Sequence, residues 1–378
     1  MAARIAIFLV VGSLIFGSAH RYVWARLVRD AALPPPWTRI GTITIVVLFL
    51  VLMLAMISSR FLPRNAGQPL AWVAFTWLGV LFFLVLALGV SDLARFLTVR
   101  PSMIEDPARR QLLARFFAGG AALVGLSLSG AGVVSALSSV AVKRVKVAID
   151  GLRDEGLRIV QISDVHIGPT IGKTFLAEIV AHINGLAPDA VVITGDLVDG
   201  SVAELEEHVA PLADLKAKHG VFFVTGNHEY YSGADAWIAH LAKLGVRTLR
   251  NERVAIGGID LAGIDDHSAS GGGHGSDLPK ALLGRDPSRP CVLLAHQPRG
   301  IELADELGVD LQLSGHTHGG QLFPWNFMVR LQQPFVAGLH KLRKAQIYVS
   351  RGTGYWGPPM RVGAPAEITE VELVKAIA

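Results

Sequence analysis

The sequence predicts an α/β domain of layered sheets preceded by a multispan α-helical membrane region. Three observations carry this reading. Apolar runs of membrane length cluster before about Lys143. Beyond that point the apolar runs shrink to strand size and alternate with helical patterns, which is how an α/β layered sheet is written. In this second half Asp, His or Asn closes one apolar strand after another. The division falls at 1–142 for the membrane region and 143–378 for the folded domain.

Composition agrees. Hydrophobic residues make up 51% of the chain and charged residues 17%, with a mean hydropathy of +0.44. That is too apolar for an ordinary soluble protein and implies membrane spans. The formal charge is +4 and the pI about 9.3, with the basic excess mostly in the first half. Such placement reads as membrane topology rather than a nucleic-acid footprint, so no nucleic-acid partner is expected. The single cysteine, Cys291, excludes an intrachain disulfide. It opens an apolar run and reads as a core residue rather than a nucleophile.

Four apolar segments fill the first half: 5–20, 40–59, one within 66–91, and 116–142. The first is short for a span, which needs about 20 residues. The connecting cations give an orientation. One side would hold Arg21, Arg26, Arg29, Arg39, Arg95, Arg100, Arg109, Arg110 and Arg115, nine in all; the other would hold Arg4, Arg60, Arg64, Lys143, Arg144 and Lys146, which is six. The positive-inside rule then puts the folded domain outside the cytoplasm. Arg109-Arg110 before the fourth segment also resembles a twin-arginine export signal, although it lies inside the chain.

The second half reads in order as strand 157–163, helix 174–183, strand 190–194, helix 202–215, strand 221–225, helix 234–244, strand 292–295 and strand 310–314. More strands and fewer helices are expected in 246–265 and 346–373. The strand ends carry Asp164 and His166, then Asp196 and Asp199, then Asn227 and His228, then His296. The last strand runs into Gly315-His316-Thr317-His318-Gly319-Gly320-Gln321. In extended chain, alternate side chains point the same way, so His316 and His318 can reach one small site. The carboxyl ends of strands are where α/β folds place their sites.

Asp164, His166, Asp196, Asn227, His228, His296, His316 and His318 form a mixed oxygen and imidazole set with no thiolate. That chemistry suits Mn, Fe, Zn or a mixed pair. Their number exceeds one tetrahedral ion and points to two divalent metal ions with a bridging carboxylate.

Together, Asp164-x-His166, Gly195-Asp196-x-x-Asp199, Gly226-Asn227-His228-Glu229, His296 and Gly315-His316-x-His318 resemble the calcineurin-like metallophosphoesterase superfamily. The stretches 348–357 and 361–368 resemble its bacterial membrane-associated branch. Members of that branch carry twin-arginine signals or resemble hydrolases of UDP-2,3-diacylglucosamine. The resemblance covers about 157–373 and implies an α/β/β/α sandwich. It implies that Asp164, His166, Asp196 and His318 hold one metal and that Asp196, Asn227, His296 and His316 hold the other. Asp196 would then bridge, His228 would act at the leaving group, and Asp199 would orient His228. The activity implied is that of a membrane-anchored phosphoesterase of a bacterial inner membrane, hydrolysing phosphodiester or related bonds by metal-activated hydroxide. Its substrate would be a phosphate ester or nucleotide-linked lipid. Cleavage of the pyrophosphate of UDP-2,3-diacylglucosamine and non-catalytic sensing of a phosphorylated ligand are the alternatives.

Other polar residues read differently. Asp265-Asp266-His267 is expected in a polar loop and His274 in a flexible glycine-rich one. Tyr230, Tyr231, Tyr355 and Trp356 are equally suited to a substrate groove or to packing. Arg351 and Arg361 are candidates to clamp a phosphate, and His182, His208 and His240 are expected on helices as surface or packing residues.

Overall fold

The computed structural model describes residues 2–58, 64–99, 105–152 and 156–376. The chain divides into two compact units, Met1–Val134 with Gly357–Met360, and Ser135–Trp356 with Arg361–Ala378. Arg60 and Arg100 of the topology count, and the end of the 40–59 segment, lie outside the described residues.

The first unit is helical. Helix α1 spans Ala2–Trp24 and runs into a π-helical turn at Ala25–Arg29; α2 spans Pro35–Ser58, α3 Arg64–Thr98 and α4 Pro107–Leu137. Among the described residues, α2, α3 and α4 are long and apolar enough to cross a membrane. Leu81, Leu84 and Leu88 of α3 pack with Val23 and Ala121, whereas Ile43, Val46, Leu50 and Leu54 of α2 face outward. An apolar exterior is what a lipid environment requires. Polar groups pair internally: Tyr22 donates to Asp92 at 2.6 Å, and Trp77 Nε1 lies 2.8 Å from His20 Nε2. Arg109 and Arg110 fall in the first turn of α4.

The second unit is the α/β domain, with two six-stranded sheets. Its strands are β1 (Ala141–Ile149), β2 (Leu157–Ile162), β3 (Ala190–Thr194), β4 (Val221–Val224), β5 (Val246–Thr248), β6 (Glu252–Ile256), β7 (Ile259–Gly263), β8 (Cys291–Leu294), β9 (Leu311–Ser314), β10 (Gly338–Leu342), β11 (Ala345–Val349) and β12 (Glu367–Lys375). Its helices are α5 (Lys173–Leu186), α6 (Val202–Val209), α7 (Asn227–Ser232), α8 (Ala234–Lys243), α9 (Leu278–Ala281), α10 (Ile301–Glu306) and α11 (Asn326–Val329).

One sheet runs β1-β12-β2-β3-β4-β5 and the other β10-β11-β9-β8-β7-β6. Strands β2 to β5 are parallel to one another, as are β7, β8, β9 and β11. Strand alternation builds the layers. Val160 and Ile162 of β2 pack beneath α5, with Leu176, Ile179, Val180 and Ile183. Those four recur at helical spacing and form the buried stripe of α5. Ile159, Val192 and Phe222 point the other way and meet Leu261, Val292, Leu294 and Leu313 of the second sheet. Beyond that sheet, Leu293 and Ile347 pack with Leu278 and Ile301. The result is the α/β/β/α sandwich. Strands buried on both faces need continuous apolar runs, which is why they were legible in the sequence.

Two boundaries differ from the sequence reading. The strand β1 begins at Ala141, inside the fourth apolar segment, and its Arg144 and Lys146 pair with Glu370 and Glu372. The helix expected over 202–215 stops at Val209 and tightens to a 3-10 turn at Ala210–Asp214. Pro211 lacks the N–H that would continue the helical ladder.

Candidate metal centre

The carboxyl ends of β2, β3 and β4 in one sheet and of β8 and β9 in the other deliver the polar residues to one place. The backbone there is unusual. Asp164, His166, Asp196, His316 and His318 all have positive φ, between 50° and 71°. A side-chain-bearing residue in this region costs about 1–3 kcal/mol and persists only where its surroundings hold it. The Asp164 N–H donates to Gly195 O at 3.0 Å and the His166 N–H to Asp196 O at 3.1 Å. The His316 N–H donates to the Asp164 carboxylate at 2.9 Å. Glycine is required at two close approaches. A Cβ at Gly226 would collide with the Asp196 carboxylate, and one at Gly315 with Ser163 and the Asp164 carboxylate.

Three groups of ligand atoms result among the described residues, of which two meet at the strand ends, Asp164, His166 and His318 in one and Asp196, His296 and His316 in the other; the third joins His166, Asp199 and His228. In the first, His166 Nε2 lies 3.0 Å from His318 Nε2, which is 3.5 Å from Asp164 Oδ1. In the second, His296 Nε2 lies 3.1 Å from Asp196 Oδ2, 3.2 Å from His316 Nδ1 and 3.2 Å from Asn227 Oδ1. Asp196 Oδ2 is also 3.9 Å from His166 Nε2, so this carboxylate stands between the groups. Ligand bonds of about 2.1 Å to a tetrahedral or octahedral cation would set neighbouring ligand atoms roughly 3.0–3.4 Å apart. The separations of 3.0 to 3.2 Å here match that spacing, and those of 3.5 and 3.9 Å are slightly wider.

The outer contacts fix which ring nitrogen faces inward. His296 Nδ1 donates to Thr194 O at 2.8 Å, leaving the Nε2 lone pair for the cluster. His166 Nδ1 donates to Asp199 Oδ1 at 3.0 Å, with the same effect. Metal-binding histidines are ordinarily held in this manner. The donor set and its tautomers therefore fit divalent cations.

Asp199 has a second partner, His228 Nδ1, at 2.6 Å. The Nε2 of His228 then faces the cluster, 3.9 Å from Asp196 Oδ2. Tyr231 and Trp356 meet this imidazole edge to face, with centroids 5.5 and 5.6 Å away. Asp199 thus bears on the His166 and His228 rings alike.

The charges are strongly biased. Burial opposes ionisation of Asp199, yet His166 and His228 bring its carboxyl down to about 2. Asp196 is likewise buried but held well below the ordinary value by His296, His228 and His166. Burial opposes a proton on His166, but Asp199, Asp196 and Asp164 outweigh it and raise the imidazole to about 9, so a cation taking Nε2 must displace a proton there. Burial, and then His296, lowers His316 to about 4. Burial and the neighbouring His166 push His318 well below its usual range. Neutral imidazoles at 316 and 318 keep lone pairs available, the state a cation needs.

One supporting residue was missed by sequence reasoning. Glu229 is fully buried and accepts from the N–H groups of Asp196, Leu197 and Gly226, at 3.0, 2.8 and 2.6 Å. It ties the loop after β3 to the loop after β4. Its signal was the glutamate three residues past Gly226, at the start of a helix. Arg361 is buried and donates to backbone carbonyls at 354 and 364, and Arg351 pairs with Glu367 at 3.0 Å. Both guanidiniums are engaged in holding the tail. Asp265 takes Arg250, Asp266 takes Gln297, and neither joins a ligand group. His274 lies between Arg250 and Asp235 rather than free in its loop.

The sequence matches the calcineurin-like phosphoesterase family model over residues 157–320. An uncharacterized metallophosphoesterase of Campylobacter jejuni is 36% identical over 373 residues, covering 97% of this chain and 98% of its own. A transmembrane protein with metallophosphoesterase domain from Bos taurus is 39% identical, over 90% of this chain and 73% of its own. A protein of the same description from Danio rerio is 36% identical, over 99% and 90%. Relatives thus occur in bacteria and vertebrates.

Proposed function

The chain belongs to the calcineurin-like metallophosphoesterases, and from that premise we propose that it is a membrane-anchored, dinuclear metal-dependent hydrolase of phosphoesters. The observation that carries the reading is the Asp196 carboxylate, placed between two groups of ligand atoms and backed by His228. Asp164, His166, Asp196 and His318 would hold one divalent ion, and Asp196, Asn227, His296 and His316 the other. Bound there, the two cations would polarise the phosphoryl oxygens and make water more acidic.

The protein's own groups supply the rest. Asp199 fixes His228 through Nδ1, so Nε2 carries its proton towards the cluster. Burial opposes that proton, and Asp199 and Asp196 outweigh burial, raising His228 above its usual value. A leaving alkoxide needs such a donor. Tyr231 and Trp356 bound the ring and limit its rotation. A domain outside the cytoplasm of a bacterial inner membrane is the placement the cation count supports.

The test uses the full chain in lipid nanodiscs with manganese. Hydrolysis of bis(p-nitrophenyl) phosphate, p-nitrophenyl phosphate and UDP-2,3-diacylglucosamine is compared for the parent chain, Asp196→Ala and His228→Ala. The expected result is loss of bound metal and turnover in Asp196→Ala. In His228→Ala, metal stays and turnover falls roughly a hundredfold or more. The preferred substrate then separates a diesterase from a nucleotide-lipid hydrolase. Two bound metals with no turnover on any of the three would sink the hydrolase reading in favour of ligand sensing.

A further inference from the structure

Past His318–Gly320 the chain leaves the metal centre and runs over the surface of the domain. Here Phe323, Trp325, Phe327 and Leu331 are each more than half exposed. Two more exposed aromatics, Tyr231 and Trp356, both meet the His228 ring edge to face. These are parts of one surface. The Gln321 side chain donates to Trp356 O at 2.9 Å and accepts from Trp356 N at 3.0 Å. The Phe323 N–H donates to Val362 O at 2.9 Å, and Val362 N–H to Gln321 O at 2.8 Å. The Phe323 and Phe327 rings lie 6.0 Å apart. An aromatic rim therefore runs from the mouth of the metal centre on to α11.

Each aromatic side chain has about 150–250 Å² to bury, and exposed apolar patches above a few hundred Å² mark interaction sites. Charge selects the occupant. Residues 311–366 contain no Asp or Glu, and Arg330 is exposed beside the rim, next to Leu331. Tryptophan and tyrosine beside an exposed arginine, with no acidic neighbour in the stretch, is the composition of a membrane interface. A second copy would instead bring like charge to like charge. Residues 138–140 alone connect α4 to β1, at most about 14 Å of extended chain, so a bilayer crossed by α4 is within reach.

We propose that this aromatic rim docks on the anionic headgroup surface of the bilayer, so that the metal centre opens on to lipid. On the hydrolase reading above, its substrate is a phosphoester whose apolar part stays in the membrane. The docking itself is tested without turnover. Single cysteines are introduced as Phe327→Cys and Leu331→Cys, with Glu206→Cys on α6 as the control; native Cys291 is buried. Each full-length chain carries bimane and sits in vesicles of phosphatidylethanolamine and phosphatidylglycerol.

Doxyl-labelled lipid is expected to quench the label at 327 and 331, where iodide does not reach, with the opposite result at 206. Adding Leu331→Asp to Phe327→Cys should abolish lipid quenching while leaving hydrolysis of the soluble diester unchanged. Iodide quenching at 327 and 331 without lipid quenching would overturn the proposal. So would shielding from both quenchers with cross-linking between copies, which would make a second chain the occupant. A chain that docks but hydrolyses nothing would overturn the hydrolase reading and leave the docking surface standing.

Discussion

Asp199 accepts from two imidazoles at once, His228 at 2.6 Å and His166 at 3.0 Å. Asp199→Asn keeps the shape and removes the charge that fixes both rings. It should weaken manganese binding or turnover by about 10–100-fold, read by metal titration and steady-state rates. Both effects should appear together, because one carboxylate serves a candidate ligand and the candidate acid. Cys291 gives a prediction of the opposite kind. Burial raises its thiol to about 12, so the folded chain should resist thiol reagents at mildly alkaline pH and label fully once denatured. Rapid labelling of the native protein would contradict its place in the core. The sequence displayed the candidate ligands that gather around Asp196, because they stand as polar side chains at the ends of apolar strands. It could not display Asp199 reaching His166, since that contact joins loops 33 residues apart. Glu229 was visible in its motif, but its three backbone partners exist only once the loops are stacked.

Helix α8 shows what legibility at the level of elements depends on. Its buried residues Ala234, Trp237 and Leu241 fall at helical spacing, and the helix was readable from that stripe alone. Trp237 is fully buried under the first sheet and donates through Nε1 to Gly200 O at 2.9 Å. Trp237→Ala should destabilise the domain by about 3–5 kcal/mol, and thermal melts of the full chain in detergent would read the loss. Trp237→Phe keeps most of the volume and should cost distinctly less. The strand β1 was harder to read. Its exposed, cation-rich face resembles the flank of a membrane helix. It becomes a strand through its ladder with β12, whose residues lie more than 200 positions later. A pattern whose partner is that remote leaves little local trace.

At the scale of the whole molecule, the ligands come from strands of both sheets, so cations bound there would fasten the two halves of the sandwich together. Manganese at 100 times its dissociation constant should stabilise the domain by about 2.7 kcal/mol, raising its melting temperature. The shift should vanish in Asp196→Ala and be reversed by chelator. Equal melting with and without metal would show that the centre binds none under those conditions. The fold class and the apolar helices were legible because each rests on a period within one segment. The aromatic rim was not, because Tyr231, Phe323 and Trp356 are distant in sequence and adjoin only through Gln321 and His228. The ladder of β12 also has a consequence in time. Strand β12 sits between β1 and β2, so β1 has no partner, and β2 has only β3, until residues more than 200 positions later are made. A nascent chain carrying α2, α3 and α4 can therefore enter the bilayer while its sandwich is still open at that edge.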